Sequence, residues 1–299
     1  MKKRTLFYAL VVVVITWTGC AKPNNNPTVN NPTVAASISP HDTSAIYGDS
    51  INFTVVTSSS NTLSTATFTQ SINGGAATQV GSIITLTNLT ERVKIKYHVP
   101  VGTPGKIKLT CTVADSKGNS DTTSAIINVI PDYNSYSTVL LASYNDISGK
   151  GSFFDSKNGT VYSKKTASIA SNQSLIDMIF FYDATNNYTL AAPADAIFGT
   201  GTGKISEDSV QTWTFKNNTN FYTTAITDFS SIHSAADIAT AINGGASFTP
   251  ATRANMLAVG QIIAFYTETG KYGLAQIAQA SGGDASGNGA LTINVLVQK

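Results

Sequence analysis

The sequence predicts a mainly β chain, an N-terminal antiparallel β-sandwich followed by a β-rich α+β domain with two short helices. Three observations predict it. Short runs within residues 34–131 alternate apolar and polar side chains with period two, the pattern of strands with one buried and one wet face. Two later runs, Val139-Leu-Leu-Ala142 and Leu175–Tyr182, are almost continuously apolar, as strands covered on both faces are. Charged residues make up only 12 % of the chain, about half the usual share. Thr, Ser and Asn take their place, and these suit strands and turns better than helices.

The first twenty residues give an address. Lys2, Lys3 and Arg4 precede an apolar run from Leu6 to Ile15, and Thr18-Gly19 leads into Cys20. That is the layout of a secretory signal, with a positive start, a short apolar run and a small-residue cleavage site. The run is shorter than the roughly 20 apolar residues a membrane-spanning helix needs. Thr18-Gly19-Cys20 resembles the lipobox of bacterial lipoproteins, and departs from it at Trp17, where Leu is usual. The resemblance implies cleavage after residue 19, acylation of Cys20, and a lipid-anchored protein of the outer membrane or cell surface. Residues 20–33 then read as an Asn/Pro-rich tether with too little apolar surface to fold. Extended, it spans about 40 Å.

Residues 34–131 carry the alternation. Ile51, Phe53 and Val55 interleave with Asn52 and Thr54. Val93, Ile95, Tyr97 and Val99 interleave with Arg92, Lys94, Lys96 and His98, and Ile107 to Val113 with Lys106, Lys108, Thr110 and Thr112. Turn signals separate the runs at Tyr47-Gly48-Asp49, Asn73-Gly74-Gly75, Gly102–Gly105 and Asp115–Asn119. About seven strands in about 98 residues is sandwich density. Lys106 to Asn119, followed by Ala125-Ile-Ile-Asn-Val129, resembles the last hairpin of bacterial immunoglobulin-like or PKD-like domains. In that resemblance Cys111 takes the place of the second disulfide cysteine, while the candidate partner strand offers only Val55 and Val56. With Cys20 acylated, Cys111 stands alone, which excludes an intrachain disulfide and thiolate metal sites.

The second domain, residues 136–299, is less regular. Ser234 to Asn243 reads as a helix, capped by Ser234 and closed by Gly244-Gly245. Thr249-Pro250 reads as the start of another, reaching about Leu257. Gly260–Tyr266, Lys271–Ala278 and Ala290–Val297 form an antiparallel set joined by Thr267–Gly270 and Ser281–Gly289. The stretch LAVGQIIAFYTETGKYGLAQI is similar to surface lipoproteins of Bacteroidetes, a likeness that brings no chemistry with it.

Function classes narrow by charge and motif. Loss of residues 1–19 leaves 16 basic against 17 acidic groups, a net of −1, so there is no cation excess for nucleic-acid phosphates. No Gly-x-Ser-x-Gly elbow occurs, and His233 is the one histidine of the second domain. Glycoside hydrolysis needs two carboxyl groups at a set separation; Glu91, Glu207 and Glu268 are the only glutamates, and Asp177 is the one acid inside an apolar run. Asp177 reads either as a desolvated acid or as a side chain that faces water at a strand end or bonds to backbone. Asp284–Gly289 matches the first half of a calcium loop, but Val295 stands at the closing-glutamate position, and the same composition makes a turn. Gly199–Lys204 lacks phosphate-loop spacing. No metal or cofactor is expected.

Two binding features remain. Trp213, Phe215, Phe221 and Tyr222 flank Lys216-Asn-Asn-Thr-Asn220, the composition of a sugar platform, with Asn218 to bond hydroxyls. The alternative is that Trp213 and Phe215 face a core. Arg92, Lys94, Lys96, Lys106 and Lys108 line the wet phase of two strands and attract polyanions if they share a face. Asp121-Thr-Thr123 and Asp208-Ser-Val210 resemble the O-glycan acceptor motif of Bacteroidetes secreted proteins. Together these point to a non-enzymatic surface lipoprotein that binds extracellular glycan through Trp213, Phe221, Tyr222 and Asn218. A protein-binding adhesive role and a carboxylate-dependent glycoside hydrolase are the alternatives.

Overall fold

The computed structural model describes residues 33–101, 105–143, 150–205, 210–284 and 287–299; the signal, Cys20 and nearly all of the tether lie outside them. Strands dominate, as the composition predicts. The first eight are β1 (Val34–Ser39), β2 (Asp42–Ala45), β3 (Ser50–Ser59), β4 (Leu63–Ile72), β5 (Thr78–Thr85), β6 (Thr90–His98), β7 (Gly105–Asp115) and β8 (Ser120–Val129). They form a three-stranded sheet, β1-β3-β6, and a five-stranded sheet, β2-β8-β7-β4-β5. All described pairings here are antiparallel except β2 against β8. This is an immunoglobulin-like order, with the first strand divided between the sheets.

The alternation read from sequence sorts the side chains. Phe53, Val55, Val93, Tyr97, Leu109, Cys111 and Val113 are buried in one core cluster, while Arg92, Lys94, Lys96, Lys106 and Lys108 are exposed. Cys111 is a buried free thiol on β7, and burial pushes its pKa up to about 11. Val55 shares its core from β3.

The second half is also a sandwich. Its strands are β9 (Tyr133–Ala142), β10 (Phe153–Asp155), β11 (Thr160–Tyr162), β12 (Met178–Asp183), β13 (Asn187–Ala191), β14 (Asn220–Thr223), β15 (Arg253–Ala254), β16 (Ile262–Tyr266), β17 (Tyr272–Gly282) and β18 (Gly289–Gln298). The sheets are β11-β10-β12-β13-β15 and β14-β16-β17-β18-β9. Between them lies a core of Phe154, Met178, Phe180, Leu190, Phe221, Ile263, Phe265, Leu291 and Ile293, among others.

Both sheets are covered on their outer faces as well. Along β12, Met178 and Phe180 enter the central core, while Ile179 and Phe181 enter an outer layer with Ala167, Phe198 and Trp213. This is why the run has no polar phase: every second residue meets a different apolar layer. On the second sheet, Ile262, Ala264, Leu274 and Leu296 turn outward and are covered by Ile238, Ala241 and Ile242 of helix α3.

The helices are α1 (Lys164–Ala167), α2 (Ala170–Gln173) and α3 (Ala235–Asn243). The third is the predicted helix, and Ser234 and Asp237 cap it reciprocally. The helix expected from Thr249-Pro250 to Leu257 is not formed. Its backbone groups are used by neighbouring strands instead. Phe221 N–H donates to the Ala251 carbonyl, Met256 N–H to Asn186, and Leu257 N–H to Tyr188. Arg253 and Ala254 close the open edge of β13. Helices α1 and α2 have four residues each, too short to show a 3.6-residue period.

Candidate functional site

The candidate site lies on the α3 side of the sheet β14-β16-β17-β18-β9. Helix α3 reaches this face through a close approach at its end. A Cβ on Gly245 would sit 1.7 Å from the Thr223 carbonyl oxygen, so only glycine fits there. Its start is held by Asp132, whose carboxylate accepts the Ala235 N–H at 2.7 Å. The Asp237 carboxylate accepts the N–H groups of His233 and Ser234 and the Ser234 hydroxyl. His233 therefore enters the helix cap through its backbone.

Beside the helix the face carries three half-buried tyrosines, Tyr222, Tyr266 and Tyr272. Tyr266 and Tyr272 are directly opposed across β16 and β17, with ring centroids 4.8 Å apart. Asn220 stands opposite Tyr266 on the other side, and Tyr222 is diagonal to it, opposite Ala264. Where β14 ends, a pocket of about 270 Å³ opens between the following loop and α3. Thr224, Ala225 and Ile226 form one wall, Ser231 and Ile232 another, and Asp237, Thr240, Ala241 and Gly244 the helix side.

The platform expected from sequence is not assembled. Phe221 and Tyr222 are consecutive on β14, so they point to opposite faces. Phe221 is fully buried between the sheets, and only Tyr222 reaches the site. Trp213 is buried in the outer layer of the other sheet, 5.5 Å from Phe153. Phe215 is 52 % exposed. Asn218 is exposed, and its N–H donates to Glu268 at 3.0 Å. Asn217 is buried and donates to the Ser174 and Ile176 carbonyls. Sequence reading missed Tyr266 and Tyr272. The signal was present: both lie on the same phase of predicted strands joined by the turn Thr267–Gly270.

The other candidates resolve into local structure. Asp177 lies just before β12, and its Oδ2 accepts the Ser156 N–H at 2.9 Å and the Ser156 hydroxyl at 2.5 Å. Burial raises its pKa to about 6; the Ser156 hydroxyl and N–H oppose that, and Asp155 nearby adds to it. Both readings hold in part: the carboxyl is desolvated and also accepts a backbone N–H, and it does not face water at a strand end. Asp115 accepts from the side chains of Ser59, Asn61 and Asn119 and from two backbone N–H groups. Burial pushes its carboxyl up, but these donors, led by Asn119 and Asn61, outweigh that and hold it well below the usual range. Asp195 pairs with Arg253 at 3.2 Å and accepts the Thr252 hydroxyl.

Lys204 turns its ammonium back onto the Ala196 carbonyl at 2.5 Å, just before its own glycine loop. Asp284 accepts the Asn288 N–H and side-chain amide, closing a turn; residues 285–286 lie outside the described residues. No group of three or more His, Cys, Asp or Glu that could hold a metal occurs among the described residues. The two basic stripes lie in different sheets of the first sandwich, β6 in one and β7 in the other, so they do not share a face. Asp121 accepts the Ala36 N–H at 2.9 Å beside exposed Thr122. Most of Asp208-Ser-Val210 lies outside the described residues.

No protein-family model matches the chain, and no curated protein does. Among solved structures it is similar to the CARDB domain of the PF1109 protein of Pyrococcus furiosus, crystallised in complex with di-metal ions. That match has 12 % identity and a TM-score of 0.23, and covers 33 % of this chain and 94 % of that one. The solution structure of the same domain matches at 11 % identity and a TM-score of 0.22, covering 32 % and 95 %.

Proposed function

We propose that the protein is a non-catalytic, lipid-anchored surface lipoprotein that binds an extracellular glycan on the α3 face of its second sandwich. One observation carries the reading: the cross-strand pair Tyr266–Tyr272, ring centroids 4.8 Å apart, with Asn220 and Tyr222 beside it. Tyrosine rings cover the apolar C–H surface of a sugar, and amides and hydroxyls bond its hydroxyl groups. Lipidation of Cys20 rests on the sequence alone, through the resemblance of Thr18-Gly19-Cys20 to a lipobox.

A glycan array probed with the chain from residue 20, followed by titration calorimetry, tests the binding. Tyr272→Ala should weaken affinity about tenfold or more, the loss of one aromatic contact of about 1–2 kcal/mol. A blank array, or unchanged affinity in Tyr272→Ala, overturns the reading. A fatty-acid probe should label the wild-type chain and leave Cys20→Ser unlabelled.

A second reading, a protein ligand, is favoured by one other observation. Gln173 is buried, and its side chain accepts the Thr214 and Phe215 N–H groups and donates to the Ser168 carbonyl. These bonds join the segment around α2, which exposes Ile169 and Leu175, to the backbone of exposed Phe215. Substitution of Phe215 by Ser would weaken binding of a protein ligand and leave glycan affinity unchanged.

A further inference from the structure

We infer that the pocket beside α3 receives the N-acetyl group of an amino sugar, an inference that rests on the glycan reading above. Its volume, about 270 Å³, is below the 300–1,000 Å³ usual for larger ligands, and suits a single sugar substituent or ring. Its apolar surface comes from Ile226, Ile232, Ala225 and Ala241. An unsubstituted hexose would desolvate hydroxyl groups against those side chains without replacing their hydrogen bonds, which costs free energy. An acetamido methyl has no such cost.

The polar groups complete the match. Thr224, Ser231 and Thr240 bring hydroxyls to the pocket. The Thr240 hydroxyl donates to the Ala236 carbonyl, and its oxygen keeps lone pairs to accept. The Ser231 hydroxyl donates to the Asp228 carbonyl and likewise keeps lone pairs to accept, whereas the Thr224 hydroxyl accepts the Ile226 N–H at 3.1 Å and has its proton for the acetyl oxygen. Among the described residues, every hydrogen bond to the Asp237 carboxylate falls on Oδ2. Its Oδ1 is the acceptor for the acetamido N–H. The charge of Asp237, with Asp228 on the adjoining loop, opposes uronate and sulfated sugars. Tyr222 precedes the pocket wall by two residues on the same strand and its extension, so one chain of sugars reaches both features.

The test compares the trimer of β-1,4-linked N-acetylglucosamine with cellotriose, which has the same backbone without acetamido groups. Titration calorimetry on the chain from residue 20 should show at least tenfold tighter binding of the acetylated trimer. Ala225→Leu plugs the pocket at an exposed position. It should remove at least tenfold of that affinity and leave cellotriose unaffected, with an unchanged melting temperature. Thr224→Val, which keeps the shape and deletes the donor, should weaken the acetylated trimer alone. Equal affinities for the two trimers, both lowered by Tyr272→Ala and insensitive to Ala225→Leu, overturn the pocket inference and leave the glycan reading standing. The same holds if the array shows binding only to sugars without acetamido groups. An array blank for every sugar overturns the glycan reading itself.

Discussion

Two carboxylates act on stability in opposite directions. Asp177 has a folded-state pKa raised from 3.8 to about 6, so the folded chain holds that proton more tightly than the unfolded one. Its contribution is therefore favourable at low pH and is lost as pH rises from about 4 through 6. The full span is about 3 kcal/mol, of which about 2 kcal/mol falls between pH 4 and 7. Urea unfolding at those two pH values should show this loss, and Asp177→Asn should flatten it by about that amount. Asp115 runs the other way. Its pKa lies below the usual carboxylate value of 3.8, so its contribution is present above about pH 4 and disappears as pH falls below that. Asp115→Ala should lower the melting temperature at pH 7, and the gap to wild type should narrow as pH drops below 4. Asp177 was visible in the sequence as an acid within an apolar run. Its partner Ser156 was not, because β10 and β12 meet through tertiary pairing.

Among the elements, the strands were legible wherever one physical rule fixed their side chains. The period-two runs of β3, β6 and β7 placed Phe53, Tyr97 and Leu109 inside correctly, because each sheet of the first sandwich has one wet face. The run Leu175–Tyr182 read correctly from Met178 onward, because β12 serves two apolar layers; Leu175 to Asp177 precede the strand, and Leu175 is exposed. Helix α3 was legible through Ser234 and Gly244, which bracket it chemically. Thr249-Pro250 gave a similar opening signal and failed, because tertiary pairing with β13 and β14 outweighs a weak local preference. The aromatic site failed for a simpler reason. Phe221 and Tyr222 were grouped by nearness in sequence, although adjacent strand residues face apart. Helix α3 is the element the site depends on. Ile238 is fully buried over the sheet, and Ile238→Ala should destabilise the protein by about 3 kcal/mol in urea unfolding. Ser234→Ala, which removes the cap, should cost about 1 kcal/mol in the same assay.

At the scale of the molecule, the apolar side chains separate along the chain. One cluster draws only on residues between Val34 and Val129, and the other three only on residues from Tyr133 onward. A fragment covering residues 33–131 should therefore fold alone, giving a β-type circular dichroism spectrum and one cooperative melting transition. Loss of that transition would mean that contacts around Tyr47 are required, since its hydroxyl lies close enough to Asp132 and Tyr133 to be raised to about 12 by burial and their charge. Composition made this layout readable: sparse charge and regular turns announce strands. The partner of each strand in the second half is set by long-range packing, and no local signal reports it.

Strand β9 opens the second sandwich, yet its neighbour is β18. The Lys299 N–H reaches the Asp132 carbonyl at 3.3 Å, and its ammonium reaches the Pro131 carbonyl at 2.6 Å. Entry and exit of this unit thus share one doorway. Its chain is close to a closed loop, and a circularly permuted version, joined across that gap by a few glycines and reopened at the Thr267–Gly270 turn, keeps every strand in register.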